Sequence, residues 1–261
     1  PMPHTAENPA AGHGPRTGGV TRCHDLRIFG LTEPQVRELL ADLLCDTGTL
    51  SLTPCALTGE VSLHLSARAA DEAACEARMA PLLRELRQRL GSWCYDRDVS
   101  GLEETVLRLC REKGLTLSAA ESCTGGLVAK RLTDVSGASQ VFLGGVVSYT
   151  NGVKQHALGV PPSLLETYGA VSAPVARAMA TGVRVLTGSD LAVSVTGVAG
   201  PDRDDRNNPV GTVFVALASP QGAVHRQLAL DGSRDRIRTL SACHALDLLR
   251  RYLADQMTEG E

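Results

Sequence analysis

The chain has 261 residues, 43% of them hydrophobic and 21% charged, with a formal net charge of −3. That length holds one large or two modest domains, and the balance is ordinary for a water-soluble globular protein. No basic excess marks a nucleic-acid or membrane surface, no apolar run reaches membrane-spanning length and no secretory leader is visible, so a cytoplasmic location without nucleic-acid or membrane partners is expected.

Residues 1–20 are rich in Pro, Gly, Ala and His without apolar periodicity, and predict a disordered tail. Residues 21–97 predict a small α+β module of order β-α-β-α. Leu26 to Phe29 form a short strand. Thr32 caps a helix with Pro34 in its first turn and Leu39, Leu40, Leu43 and Leu44 on its apolar face. Val61, Leu63 and Leu65 alternate with polar Ser62 and His64, the pattern of a half-buried strand. Asp71 caps a long helix with Met79, Leu82, Leu83, Leu86 and Leu90 facing inward, ending at Gly91.

Residues 98–255 predict a second domain, and 256–261 a tail. Ser100 and Glu103 have capping-box spacing, and the helix they open stops at Gly114. Strands follow at Leu115 to Ala120, Val141 to Tyr149 and Leu191 to Val195, with a helix from Ser172 to Leu186. Thr212 to Ala218 and Val224 to Leu230 form an antiparallel pair across Ser219–Gly222, and Ser233 caps a last helix through Leu253. Helices interleaved with apolar strands define the expected fold class: α/β, a three-layer α/β/α sandwich with a mixed sheet, preceded by the small α+β module.

The eight cysteines form no CxxC pair and read as free, mostly buried thiols; the scattered histidines predict no metal site. The chemistry points to Ala119-Ala120-Glu121-Ser122-Cys123-Thr124-Gly125-Gly126. It is a strand, a small-residue turn and a helix start, where unpaired backbone N–H groups attract negative charge. A Ser hydroxyl there needs a base, and no His in the motifs supplies one. Lys154 and Tyr149 are the candidates; a desolvated neutral Lys, or a phenolate beside a cation, takes the Ser proton. Only three lysines occur, at 113, 130 and 154, against a background of Arg, which cannot act as a base. Cys123 is a rival nucleophile by its place in the turn.

Further motifs follow in order: Gly144-Gly145-Val146-Val147-Ser148-Tyr149, Gly169-Ala170-Val171-Ser172, Val195-Thr196-Gly197-Val198-Ala199-Gly200-Pro201 and Pro209-Val210-Gly211. In this order and spacing, residues 99–253 resemble the C-terminal domain of the CinA family, which also occurs alone as a bacterial nicotinamide-nucleotide amidase. Leu26 to Tyr95 resemble the KH-like module that precedes it in longer relatives.

The resemblance implies deamidation of nicotinamide mononucleotide to nicotinic acid mononucleotide and ammonia, without a cofactor. It implies Ser122 as nucleophile, with Tyr149, Lys154, Thr196 and Arg236 as active-site residues. Cys123, Thr124, Gly125, Gly126, Gly145, Gly197 and Gly200 are the expected substrate-binding positions. A homo-oligomer is also expected; a non-catalytic protein linked to competence or DNA damage is the alternative. The module lacks a GxxG loop and a basic excess, so packing rather than RNA binding is its expected role. Two departures stand out. Residues 203–208 are Arg-Asp-Asp-Arg-Asn-Asn where relatives have a glycine-rich stretch. The large N-terminal domain of longer relatives is absent from this sequence, and its pyrophosphatase activity is not expected here.

Overall fold

Two patterns of apolar spacing build two sheets, and a computed structural model describes them over residues 19–257. The expected tails at 1–18 and 258–261 lie outside the described residues; Val20, placed in the tail by composition, opens the first strand. The first unit runs β1 (Val20–Ile28), α1 (Glu33–Leu39), β2 (Cys45–Asp46), β3 (Leu50–Leu57), β4 (Glu60–Ala69), α2 (Glu72–Leu90) and β5 (Cys94–Arg97). Its sheet is antiparallel, in the order β2-β3-β4-β1-β5. Val61, Leu63 and Leu65 of β4 bury one sheet face against Cys75, Met79, Leu83, Leu86 and Leu90 of α2. Asp71 caps α2 by accepting the Ala74 N–H at 2.8 Å.

The second unit runs α3 (Leu102–Lys113), β6 (Leu117–Glu121), α4 (Leu127–Asp134), β7 (Phe142–Val147), α5 (Asn151–Leu158), α6 (Pro162–Tyr168), α7 (Ala173–Thr187), β8 (Leu191–Gly197), β9 (Thr212–Ser219), β10 (Gly222–Ala229) and α8 (Arg234–Leu253). Its mixed sheet has the order β10-β9-β8-β6-β7, with β8, β6 and β7 parallel and β9 and β10 antiparallel. Side chains alternate across the strands, so Leu117 and Ala119 of β6 face α3, α4 and α8, while Ala120 faces α5, α6 and α7. The chain leaves β6 for β7 on one side, then returns past β6 to β8 on the other. In such sheets ligands sit beyond the carboxyl ends of the strands at this switch point. The carboxyl end of β6 is followed by Ser122.

The capping box expected of Ser100 and Glu103 is displaced by one residue. Ser100 donates to Glu104 through both its N–H and its hydroxyl, each at 2.8 Å, and Glu103 instead accepts from Arg131 at 2.6 Å. All eight cysteines are free; Cys23 and Cys55 are exposed and the rest partly or fully buried.

The two units pack together across α3, α4 and α8. Arg131 of α4 donates to Glu60 of β4 at 2.7 Å, and the Tyr95 hydroxyl also bonds Glu60. Arg27 donates to the Val99 carbonyl at 2.9 Å, and Phe29 joins the core of the second unit. Gly59, at the tip of the β3–β4 hairpin, has φ +86°, and an added Cβ would stand 2.9 Å from Cys243 Sγ. Only a residue without a side chain lets the hairpin approach α8 so closely. No described helix is long and apolar enough to cross a membrane.

Candidate active site

Ser122 leaves the end of β6 in a turn that Gly126 closes at φ +97°, a conformation costly for residues with a side chain. Three anchors fix this turn. The Ser122 N–H donates to the Val195 carbonyl of β8 at 2.9 Å. Glu121, almost fully buried, accepts the N–H groups of Gly126, Val128 and Ala129 at 2.8–3.1 Å, and so caps α4 with a carboxylate where the helix dipole favours one. Arg238 of α8 donates to the Cys123 carbonyl at 3.1 Å and the Thr124 carbonyl at 2.9 Å.

Arg238 sets the polarity of the turn. In a planar trans peptide the C=O and N–H point in opposite directions. Holding the Cys123 carbonyl toward Arg238 therefore turns the Thr124 N–H the other way. The N–H groups of Gly125 and Gly126 are engaged by the Ser122 carbonyl and Glu121. Those of Cys123 and Thr124 donate to no oxygen among the described residues, which leaves them as the turn's donors for a developing oxyanion.

Lys154 comes from α5, whose start Thr150 caps. Its side chain is 1% exposed, the largest polar side chain buried so completely. Its Nζ donates to the Ser148 carbonyl at 2.7 Å and stands 3.0 Å from Ser122 Oγ. Burial away from water disfavours the ammonium form and lowers its pKa to about 8. Lys154 thus gives up its proton closer to physiological pH than an exposed lysine, with its amine 3.0 Å from the Ser hydroxyl.

Ser122, Cys123, Tyr149, Asn151, Lys154, Ala170, Val171, Thr196, Gly197, Ala199 and Arg234 line one pocket of about 190 Å³. Thr196 donates its hydroxyl to the Ala170 carbonyl at 2.8 Å. Tyr149 is 59% exposed at the rim, where its hydroxyl accepts from Arg234 Nη2 at 3.1 Å. Arg234 Nη1 also donates to the Gly200 carbonyl. Cys123 lies in the pocket wall, but burial pushes its thiol up to about 12, so it is protonated and inert at neutral pH.

The structure thus brings together Ser122, Tyr149, Lys154, Thr196, Gly197 and Cys123, with Gly200 tied in through Arg234. Outside the pocket lining, Gly125 and Gly126 shape the turn, and Thr124 offers its unpaired N–H. Gly145 lies within β7, packed on Ala119, and does not line the pocket. Arg236 requires a correction. It lines a different groove with Phe29, Leu57 and His244, and Arg234 occupies the position expected of it. Residues on a helix turn by 100° each, so Arg236 points about 200° away from Arg234, whereas Arg238, four residues on, shares its face. Arg234 and Arg238 were missed by sequence reading. In the altered loop, Asp204 accepts the N–H groups of Arg206 and Asn208 at 3.1 and 2.8 Å, a turn built on an Asp side chain instead of glycines.

A mixed α/β unit with a buried Ser–Lys pair at its switch point defines the class. Comparison with known proteins gives the family. The CinA C-terminal domain matches residues 99–253, and the damage-inducible protein CinA KH domain matches residues 24–95. The chain is 47% identical over 234 residues to a CinA-like protein of Geobacter sulfurreducens, covering 90% of this chain and 57% of that protein. It is 44% identical over 237 residues to one from Citrifermentans bemidjiense, covering 89% of this chain and 55% of that protein. The chain therefore spans little more than half the length of these relatives. The crystal structure of competence/damage inducible protein CihA from Agrobacterium tumefaciens superposes with a TM-score of 0.55 at 39% identity, covering 59% of this chain and 95% of that one. A CinA superfamily protein from Klebsiella pneumoniae superposes with a TM-score of 0.58 at 29% identity, covering 59% and 96%. The chain belongs to the CinA family.

Proposed function

We propose that the second unit is a serine amidohydrolase that deamidates nicotinamide mononucleotide to nicotinic acid mononucleotide and ammonia. The observation that carries the reading is the buried Lys154 amine 3.0 Å from Ser122 Oγ. Helices on both faces of the mixed sheet, the three-layer α/β/α arrangement, fit the same reading.

The chain's own groups account for each proton. Neutral Lys154 takes the Ser122 hydroxyl proton as Oγ attacks the carboxamide carbon. The tetrahedral oxyanion faces the N–H groups of Cys123 and Thr124. The Lys154 ammonium then returns the proton to the leaving amide nitrogen, ammonia departs and an acyl-serine remains. Water, deprotonated by the same amine, attacks the ester, the Lys154 ammonium returns that proton to the departing Ser122 Oγ, and the freed acid ionises to the carboxylate product. The cationic pyridinium of the substrate withdraws electrons from the carbonyl and favours attack. A pocket of 190 Å³ is smaller than the roughly 300–1,000 Å³ of drug-sized ligand sites. It suits the ring and carboxamide, with ribose and phosphate extending past Tyr149 to the exposed Arg234, whose guanidinium suits a phosphate.

The test is ammonia release by the full chain from nicotinamide mononucleotide, with free nicotinamide as comparison. The reading predicts turnover of the nucleotide and much weaker turnover of the base. No ammonia from either would remove it.

A further inference from the structure

Where the two units meet, a second cavity of about 470 Å³ opens between the β3–β4 hairpin, the turn after β1 and helix α8. Its volume lies within the range of small-molecule sites, roughly 300–1,000 Å³, and such sites favour domain interfaces. Its walls include Phe29, Leu31, Leu57 and Leu240.

Five polar side chains line it, of which Thr32 donates its hydroxyl to Gln35 at 2.9 Å. Glu33 is paired with Arg37, and Glu60 with Arg131 and the Tyr95 hydroxyl, so both carboxylates are already compensated. Arg236 and His244 are not. No carboxylate pairs with the Arg236 guanidinium among the described residues. Buried His244 Nδ1 has no hydrogen-bond partner, although its ring is fixed edge-on against Phe29 at 4.9 Å between centroids. Burial, aided by the nearby Arg226 charge, holds the imidazole neutral, with a pKa lowered to about 4. A neutral imidazole still offers one N–H donor. The unmet capacity of the cavity is thus the Arg236 cation at one end of its apolar walls, with the neutral His244 ring two helical turns further along α8.

We propose that this groove binds a small molecule with a planar apolar body and one anionic group, a carboxylate or a phosphate. The anion sits on Arg236, and the body lies along Leu240 between Phe29 and Leu57, toward the neutral His244 ring two helical turns further along α8. This site is distinct from the Ser122 pocket, and its occupant touches both units at once.

Isothermal titration of the full chain with benzoate, phenyl phosphate and benzyl alcohol tests the proposal. Saturable binding is expected for benzoate, phenyl phosphate or both, with Kd of about 1 mM or tighter, and at least ten-fold weaker binding for the neutral alcohol. Which anion binds more tightly separates a carboxylate ligand from a phosphate one. Arg236→Gln, which removes the charge on an exposed side chain, should weaken anion binding at least ten-fold. Leu240→Trp, which fills the cavity, should do the same, with thermal unfolding confirming that both variants fold. Absence of binding by both anions at 10-fold excess over that Kd overturns the proposal. Equal binding by the alcohol also overturns it, as does binding that survives both groove variants but is lost in Arg234→Ala, because the ligand then occupies the Ser122 pocket.

Discussion

Arg234 and Arg238 lie one turn apart on one face of α8, where Arg234 lines the Ser122 pocket and Arg238 holds the nucleophile turn from behind it. Arg234 bonds the Tyr149 hydroxyl at 3.1 Å, and Arg238 bonds the two carbonyls of the nucleophile turn. One arginine is placed for the substrate's outer portion and the other for the shape of the oxyanion site. Their substitutions should therefore damage different kinetic constants.

Arg234→Ala removes a guanidinium at the pocket rim without touching the turn. It should raise KM for nicotinamide mononucleotide about ten-fold or more, the worth of a charge-assisted contact, with a smaller change in kcat. Arg236→Ala should have a far smaller effect on both constants. Steady-state kinetics of the two variants side by side decides this; the reverse ranking would return Arg236 to the reaction.

Arg238→Ala should lower kcat by about 10- to 100-fold with little change in KM, because a freed Cys123–Thr124 peptide no longer presents its N–H to the transition state. Arg238→Lys should recover little, since one ammonium cannot hold both carbonyls in the fork geometry of a guanidinium. A loss confined to KM would assign Arg238 to substrate binding.

The lowered pKa of Lys154 gives a pH dependence of known sign. The base works in its neutral form, so kcat/KM should rise with pH, reach half its plateau near pH 8 and level off above. Stability follows the same direction. Between about 8 and the ordinary value of 10.5 the unfolded chain binds more protons than the folded one, so folding stability from this group increases with pH across that window. A pH–rate profile that is flat from pH 6 to 9 would contradict the role. Lys154→Arg should be nearly as inactive as Lys154→Ala, because a guanidinium accepts no proton.

The contact between the units has its own signature. Glu60→Ala leaves the Tyr95 hydroxyl and one arm of the buried Arg131 without their partner, while Glu103 still holds Arg131. The expected loss is about 2 kcal/mol, read from the urea midpoint of the full chain. Glu60→Gln, which keeps one acceptor, should lose less. Equal stability of Glu60→Ala and wild type would show that the contact contributes nothing.

Much of this was legible in the residues, for reasons that also explain what was not. Helices α2 and α8 carry their caps as Asp71 and Ser233, and the sheet of the second unit carries its strands as apolar runs, so both patterns are local. Strand β3 was hidden by Pro54, which argues against a central strand. Pro54 is tolerated because β2 covers only Ser51 and Leu52 on the outer side and leaves Pro54 at an open edge. Strand β5 is four residues of mixed polarity, and its pairing with β1 is a long-range choice. The Ser122, Lys154 and Thr196 positions were readable from motifs. The choice among Arg234, Arg236 and Arg238 was not, because it depends on the rotation of α8 against the Ser122 turn, which five consecutive letters do not record.

The central claim rests on Ser122 as the atom that attacks the amide. Ammonia release from nicotinamide mononucleotide by wild type and Ser122→Ala, at matched concentration and with folding checked by thermal unfolding, tests it most directly. The expected result is a fall of about three powers of ten or more in the variant, the loss of covalent catalysis. Turnover by Ser122→Ala within ten-fold of wild type, with Cys123→Ala inactive in its place, would contradict the account.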